Sequence, residues 1–284
     1  MAKRSVFISK EVYPYFEEIH VEFEWFGGFA LSQKRKCEVG LHKNFLLQYP
    51  EYKVLEVSSS SLQSLGKRLS AMNLWKKTKE GITSVESAFQ SSRIYRKGSD
   101  KVGPFPEYLF LPGKECKKKV KELSKGYHSY EYRFDGMTFT APPHHISQFY
   151  DYLYLNALLE PENKEVKETL LKEEYTAFTD LATKSLNSQA RSCAIFVGLV
   201  KAGKIDKVKN FHEYLELFRT GSDGKALGPA SYENVQLLVK NGVRLLSPVV
   251  PCRFTKDDVE KYYLETCSRL TNKKDDMNFL DKVA

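Results

Sequence analysis

The sequence predicts an α+β fold, predominantly helical with a few short strands, and three observations carry that expectation. Val21-Glu22-Phe23-Glu24-Trp25-Phe26 alternates apolar and acidic residues with a period of two, as a half-buried strand does, and Gly27-Gly28 ends the run. Asp135-Gly136, between alternating aromatic and polar residues over 127–140, is a hairpin signal. Apolar residues elsewhere recur at helical spacing, as with Cys116, Val120 and Leu123 at i, i+4 and i+7, or Ala190, Cys193, Ala194 and Val197 on one stripe.

In chain order, residues 6–29 read as strand, and the glycine pair opens into Phe29-Ala30-Leu31-Ser32-Gln33-Lys34-Arg35-Lys36, a turn with a basic tail. Tyr52 to Val57 reads as a strand that hands over, through Ser58-Ser59-Ser60-Ser61, to a helix with Leu62, Leu65 and Leu69 on one face. Such a serine-rich start either caps the helix or holds a phosphate. Thr83 to Arg93 reads as a helix that sets Glu86, Gln90 and Arg93 at i, i+4 and i+7 on a polar face, with Val85, Ala88 and Phe89 beside them. The same spacing, Thr83-x-x-Glu86, also fits a capping box, in which the carboxylate serves only the helix start.

Residues 98–112, rich in glycine and proline, are expected as an exposed loop. Lys114 to Lys125 forms an amphipathic helix whose outer face carries lysines at 114, 117, 118, 119, 121 and 125. That face is either simply solvated or a place for phosphate contacts. Pro142-Pro143-His144-His145 is a rigid connector, and Phe149 to Leu158 begins another helix. Asp180 precedes a helix capped by Asn187 or Ser188 that ends near Gly203. Further helices are expected over 211–218, 232–239 and 257–270, with a loop at 221–228. The chain is therefore divided into residues 1–206 and a helical C-terminal extension, 207–284.

Of the 284 residues, 44 are Lys or Arg against 36 Asp or Glu, a net charge of +8 that favours polyanionic partners such as single-stranded nucleic acid without requiring them. Five cysteines form no CxxC pair and are read as free thiols of a reducing compartment, so the expected location is the cytoplasm. No apolar run has the length of a signal peptide or a membrane span, and no membrane partner is expected. His144-His145 has no further ligand at a recognised metal spacing, so neither a metal site nor a cofactor is assigned. The pattern leaves the oligomeric state open.

Ser84-Val85-Glu86-x-x-Phe89-Gln90-x-x-Arg93 resembles the signature of the NADAR (YbiA-like) family of N-glycosidases, which act on ADP-ribose and related ribosyl-amines. The resemblance runs in order through residues 6–202: the Gly27-Gly28 turn, the run from Leu55 to Leu74, the Glu86 helix, Phe149 to Leu158, and Asp180 to Arg191. The second and fourth of these are similar to the longer branch of the family, associated with guanine de-ADP-ribosylation. Two departures, Ser87 where the compact branch has His and no Trp-Gly after Asp180, point away from a riboflavin-pathway substrate.

Breaking the bond between a ribose anomeric carbon and a base nitrogen passes through an oxocarbenium-like state. The site therefore needs negative charge near the sugar and a proton for the leaving nitrogen. The resemblance implies that Glu86 does the acid/base work and that Asp180 stabilises the ribose. It also implies that Gln90, Arg93, Asn187, Gln189 and Arg191 orient ribose or diphosphate, that Phe26, Gly27, Gly28, Phe29 and Ser32 line the ribose pocket, and that Phe89, Tyr150 and Tyr152 supply aromatic surface. A lysine that forms a Schiff base with the opened sugar is a further candidate, with Lys34 and Lys36 as first choices. The implied activity is removal of ADP-ribose from guanine in DNA, as an antitoxin or counter-defence against a guanine-modifying ADP-ribosyltransferase. An N-glycosidase acting on a small ribosylated metabolite and a non-catalytic reader of ADP-ribosyl groups are the alternatives.

Overall fold

The stretch expected as one strand over 6–29 is a hairpin in the computed structural model, which describes residues 1–28, 30–140, 147–182 and 188–218. Strands β1 (Ala2–Ser9) and β2 (Phe16–Phe23) pair antiparallel, from Ala2 opposite Phe23 to Ser9 opposite Phe16. The period-two signal is real within β2, where Val21 and Phe23 are buried and Glu22 is exposed. It overshoots at its end, because Glu24-Trp25-Phe26 lies past the strand.

The basic tail after the glycine turn proves to be the first turns of an 18-residue helix, α1 (Leu31–Gln48). Its buried stripe is Cys37, Glu38, Leu41 and Phe45. An acid inside the stripe and lysines around it hide the amphipathic pattern that would otherwise mark a helix.

Strand β3 (Val54–Glu56) follows, then α2 (Ser64–Arg68), which is shorter than expected and leaves Leu62 exposed while burying Leu65. The pair β4 (Trp75–Thr78) and β5 (Gly81–Ser84) leads into α3 (Val85–Ser91). That helix ends two residues before Arg93, which opens β6 (Arg93–Lys97) instead of continuing the polar face. The expected exposed loop holds β7 (Asp100–Val102) and a 3-10 turn at Pro106–Tyr108, with Phe105 and Leu109 buried. Phe105 joins Tyr95, Cys116 and Val120 in a small core under α4 (Gly113–Leu123), the expected basic helix.

The hairpin signal at Asp135-Gly136 is met by β8 (His128–Phe134) and β9 (Met137–Thr140), with positive φ at both turn residues. Then come α5 (Ser147–Leu159), α6 (Lys164–Lys172), β10 (Ala177–Thr179), α7 (Gln189–Lys201) and α8 (Phe211–Leu217). The connector over 142–145, the loop at 221–228 and the helices expected over 232–239 and 257–270 lie outside the described residues. Contacts group Met1–Tyr214 into one compact unit and Leu215–Ala284 into another.

The fold is α+β. One sheet has the order β2-β1-β10-β3, with β10 antiparallel to β1 and parallel to β3; another is β7-β6-β8-β9. Helix α1 covers one face of the first sheet, where Val6, Ile8, Val54 and Ala177 meet Cys37, Leu41 and Phe45. Helix α7, buried from Ala190 through Leu199, packs against β1 and β10 and against α5, and α5 in turn meets α3. Being covered all round, α7 reads as a near-continuous apolar run rather than a stripe.

Candidate functional site

Thr83 does not cap α3. The cap is Ser84, whose Oγ accepts from the Ser87 amide at 3.1 Å, while the Thr83 hydroxyl donates to the Leu109 carbonyl. Glu86 is thus released from the capping box, and its carboxylate, on a residue only 6% exposed, is used otherwise. Gln90 Nε2 donates to Glu86 Oε1 at 3.0 Å, one helical turn on, and Arg93 Nη1 reaches back to Gln90 Oε1 at 3.3 Å. The Arg93 guanidinium lies over Tyr95, 4.7 Å from its ring centre, and beside Phe89.

The remaining partner of Glu86 comes from α4. Lys117 Nζ stands 3.1 Å from Glu86 Oε1. Gly113 makes this approach possible: a β-carbon there would collide with Met72 Sδ and with Glu86 itself. One turn after that contact, Lys117 falls on the same face and meets the acid.

Asp180 follows β10. Ala177 and Thr179 face α1, so by strand alternation Phe178 and Asp180 turn toward α7. There Asp180 Oδ2 accepts from the Gln189 side-chain amide at 3.1 Å and from the Gln189 backbone amide at 3.4 Å, at the positive end of α7. Ser188 holds the N-cap position of that helix without a side-chain capping bond.

The two acids are tied together. Gln189, whose Nε2 donates to Asp180, accepts through Oε1 from the Ala71 amide at 2.6 Å, and the Ala71 carbonyl accepts from the Glu86 amide at 2.9 Å. One side chain and one residue of backbone therefore separate the start of α3 from the end of β10. Tyr150 reports the same proximity. Burial first, then the charges of Glu86, Asp180 and Asp151, push its hydroxyl well above the ordinary tyrosine range, so it stays a protonated donor. Its ring stands edge-on to Phe89 at 5.1 Å.

Other expected residues are placed elsewhere or committed. Arg191 Nη2 donates to Asp151 Oδ2 at 2.8 Å, and Ser192 Oγ donates to Asp151 Oδ1 at 2.6 Å, in a buried ion pair between α7 and α5. Tyr152 projects into a second aromatic group, with Phe211 at 5.2 Å, Tyr214 at 5.3 Å and Phe139 at 6.0 Å. Phe26 packs against the cluster holding Cys37 and Leu181, which puts the glycine turn on the side where β10 ends. Gly28, at φ +118° against the Gln33 side chain, would be strained by any other residue, whereas Gly27 has open space around it. Ser32, Lys34 and Lys36 are exposed in the first turns of α1, with the Lys36 ammonium 5.6 Å from the Phe26 ring centre. Phe29 and Asn187 lie outside the described residues.

Glu56 is a neighbour of the site that the sequence did not single out, and Lys117, expected on the basic outer face of its helix, also meets Glu86. Glu56, the last residue of β3 and 1% exposed, accepts from Thr179 Oγ1 at 2.6 Å and from the Leu181 amide at 3.1 Å, the residues on either side of Asp180. An acid between two apolar residues of a buried strand is the signal that marks it. A shallow cavity of about 400 Å³ lined by His42, Tyr52, Gln63 and Tyr175 contains neither Glu86 nor Asp180.

Among the described residues no group of three or more His, Cys, Asp or Glu is placed to hold a metal ion, and no helix is long and apolar enough to cross a membrane. Cys37, Cys116 and Cys193 are free and buried; burial pushes the thiols of Cys116 and Cys193 up to about 12. A family model described as "DarT1-associated NADAR antitoxin" matches residues 2–226. Comparison with curated proteins finds no match.

Proposed function

The chain belongs to the NADAR family of DarT1-associated antitoxins, and from that premise we propose that it is an N-glycosidase that removes ADP-ribose from guanine bases in DNA. The observation that carries this reading is the bridge from Asp180 through Gln189 and Ala71 to Glu86. It supports two carboxylates serving one sugar from two sides. Glu86 takes up a proton from solvent once Lys117 has turned away, gives it to the leaving nitrogen and then takes one from the attacking water; Asp180 sets negative charge against the oxocarbenium-like ribose. Tyr150, kept protonated by burial and by the charges of both acids, donates a hydrogen bond to ribose.

Lys117, more than half exposed, is free to swing from Glu86 to a substrate phosphate and so uncover the carboxylate as substrate arrives. The other lysines of α4 continue that positive surface outward. Gln90 and Arg93 orient the diphosphate. Lys34 or Lys36 supplies the amine if the opened sugar is held as a Schiff base. Borohydride reduction during turnover then leaves an adduct on the wild type that is missing from Lys34→Arg or from Lys36→Arg.

The deciding experiment offers ADP-ribosylated guanine and ADP-ribosylated thymine oligonucleotides side by side and measures free ADP-ribose. Release from the guanine substrate, lost in Glu86→Gln, supports the proposal. Saturable binding without release makes the protein a reader. Equal turnover of an ADP-ribosylated nucleoside, indifferent to salt, makes the substrate a small metabolite.

A further inference from the structure

Behind Asp180, on the opposite face of the sheet, stands a second buried acid that the scheme above does not use. Because β3 and β10 run parallel with Glu56 opposite Thr179, both strands deliver their carboxyl ends to one place. The Glu56 carboxylate holds Thr179 through its hydroxyl and Leu181 through its amide, and the Thr179 carbonyl accepts from the Val57 amide at 2.8 Å. Asp180 is thereby clamped from both chain directions. Gly66 of α2 lies so close to the Glu56 carbonyl that any β-carbon there would collide with it, so β3 is itself held.

We propose that Glu56 is a positioning residue for Asp180: at the end of β3 it grips both neighbours of Asp180, the Thr179 hydroxyl and the Leu181 amide, and so fixes where the Asp180 carboxylate stands. This inference rests on the reading of Asp180 as an active-site residue. Two acids this close and this buried do not both ionise at neutral pH. Glu56 is the one that holds the proton: burial first and the Asp180 charge second raise it to about 8, outweighing the hydrogen bonds from Thr179, Leu181 and Ser58 that favour its charge. Asp180 accepts from both amides of Gln189 at the N-terminal end of α7.

No cation among the described groups offsets Glu56. From α1, His42 Nε2 lies 2.9 Å from Thr179 Oγ1, but burial lowers His42 to about 4 and keeps it uncharged. Also from α1, Glu38 is occupied with the Leu62 amide and the Ser61 hydroxyl, and Arg35 and Lys67 act on Glu38. On the α5 and α7 side, Tyr150, Tyr154 and Cys193 feel the charge of Asp180.

The test compares wild type with Glu56→Gln, a shape-matched mimic of the protonated acid, and with Glu56→Ala. A carboxyl raised from its ordinary value to about 8 by folding binds a proton that the unfolded chain has lost, so wild-type stability falls between roughly pH 4.5 and 8. The melting temperature of Glu56→Gln relative to wild type therefore climbs across that window, from near zero at pH 5 to about 5 °C or more at pH 8. In the activity arm, wild-type kcat drops about fourfold from pH 6.5 to 8.5 as a group near 8 ionises, and this descending limb is absent in Glu56→Gln. Glu56→Ala, which strands the Thr179 hydroxyl and the Leu181 amide, loses about tenfold or more in kcat with KM held, and Gln restores most of it. A stability difference flat with pH, or a descending limb unchanged in Glu56→Gln, overturns the assignment. Should wild type release no ADP-ribose at any pH, the enzymatic reading fails, while the melting curves still decide which acid carries the proton.

Discussion

Glu86 shares its carboxylate with the ammonium of Lys117 and the amide of Gln90, whereas Asp180 is backed by a second carboxylate and reached by two N–H groups of Gln189. The first acid sits at the start of a short helix beside an exposed basic one; the second sits where two parallel strands end. Two acids of like chemistry thus meet unlike surroundings, and surroundings are what divide such a pair into different roles. The Glu86 side can change partners, since its cation is solvent-exposed. The Asp180 side is held by the amides of Gln189, a clamped strand end and a helix terminus. A proton-handling group gains from the first arrangement, an electrostatic one from the second.

The sharpest way to break this comparison is to remove each charge without changing shape. Asp180→Asn and Glu86→Gln are each expected to slow single-turnover release of ADP-ribose by about a thousandfold, with melting temperature little altered. A substrate whose leaving base needs no protonation should recover most of the rate in Glu86→Gln and none in Asp180→Asn. If both variants recover alike, the two acids share one role. If either keeps full activity while folded, the two-carboxylate scheme is wrong.

Arg191 marks the boundary between site and scaffold on the Asp180 side. Its ion pair with Asp151 is buried on both partners, and Ser192 completes the carboxylate's bonding. Arg191→Met leaves Asp151 buried without its cation, a loss of about 3 kcal/mol or more, seen as a fall in melting temperature of about 6–12 °C. Asp151→Asn together with Arg191→Met should recover much of that loss, because the stranded charge is gone. A rise in KM with unchanged melting temperature would instead return Arg191 to the substrate.

The Glu86 side was the more legible one in the sequence. Ser84 to Arg93 is a local pattern, and helical spacing alone puts Gln90 one turn from Glu86. Even so, helical spacing overshoots the end of α3, since the turn at Ser92 that starts β6 has no glycine or proline to announce it. The hairpin at Asp135-Gly136 was legible because type and position of a tight turn are fixed by those two residues. Helix α1 was missed because Glu38 occupies a core position, satisfied by the Leu62 amide from 24 residues away. For Glu56 the acid between Leu55 and Val57 is a signal, but its role is not legible for the same reason: its partners, Thr179 and Leu181, arrive only through strand pairing across more than 120 residues. Long-range backbone bonds to a buried acid leave no periodic trace, whereas a face, a cap or a turn does.

The smallest effects belong to the outer face of α4, and they sharpen the comparison by asking how far the Glu86 side extends. Lys114, Lys117, Lys118, Lys121 and Lys125 are exposed, while Lys119 is drawn to Glu115 and to the ring of Tyr108. If a nucleic-acid strand runs along this helix to reach Glu86, each phosphate contact releases counterions, and binding falls with salt in proportion to the number of contacts. Lys117→Ala should raise KM for an oligonucleotide by about fivefold, and Lys118→Ala with Lys121→Ala by about two- to threefold, each replacement lowering the salt slope by about one. Melting temperature should hold in the Lys118→Ala, Lys121→Ala variant, whose ammonium groups are exposed, whereas Lys117→Ala leaves the buried Glu86 carboxylate without its cation and should melt lower. An ADP-ribosylated mononucleoside provides the control. It should feel Lys117→Ala, since that lysine touches Glu86, and ignore Lys118 and Lys121, which only a polymer is long enough to meet.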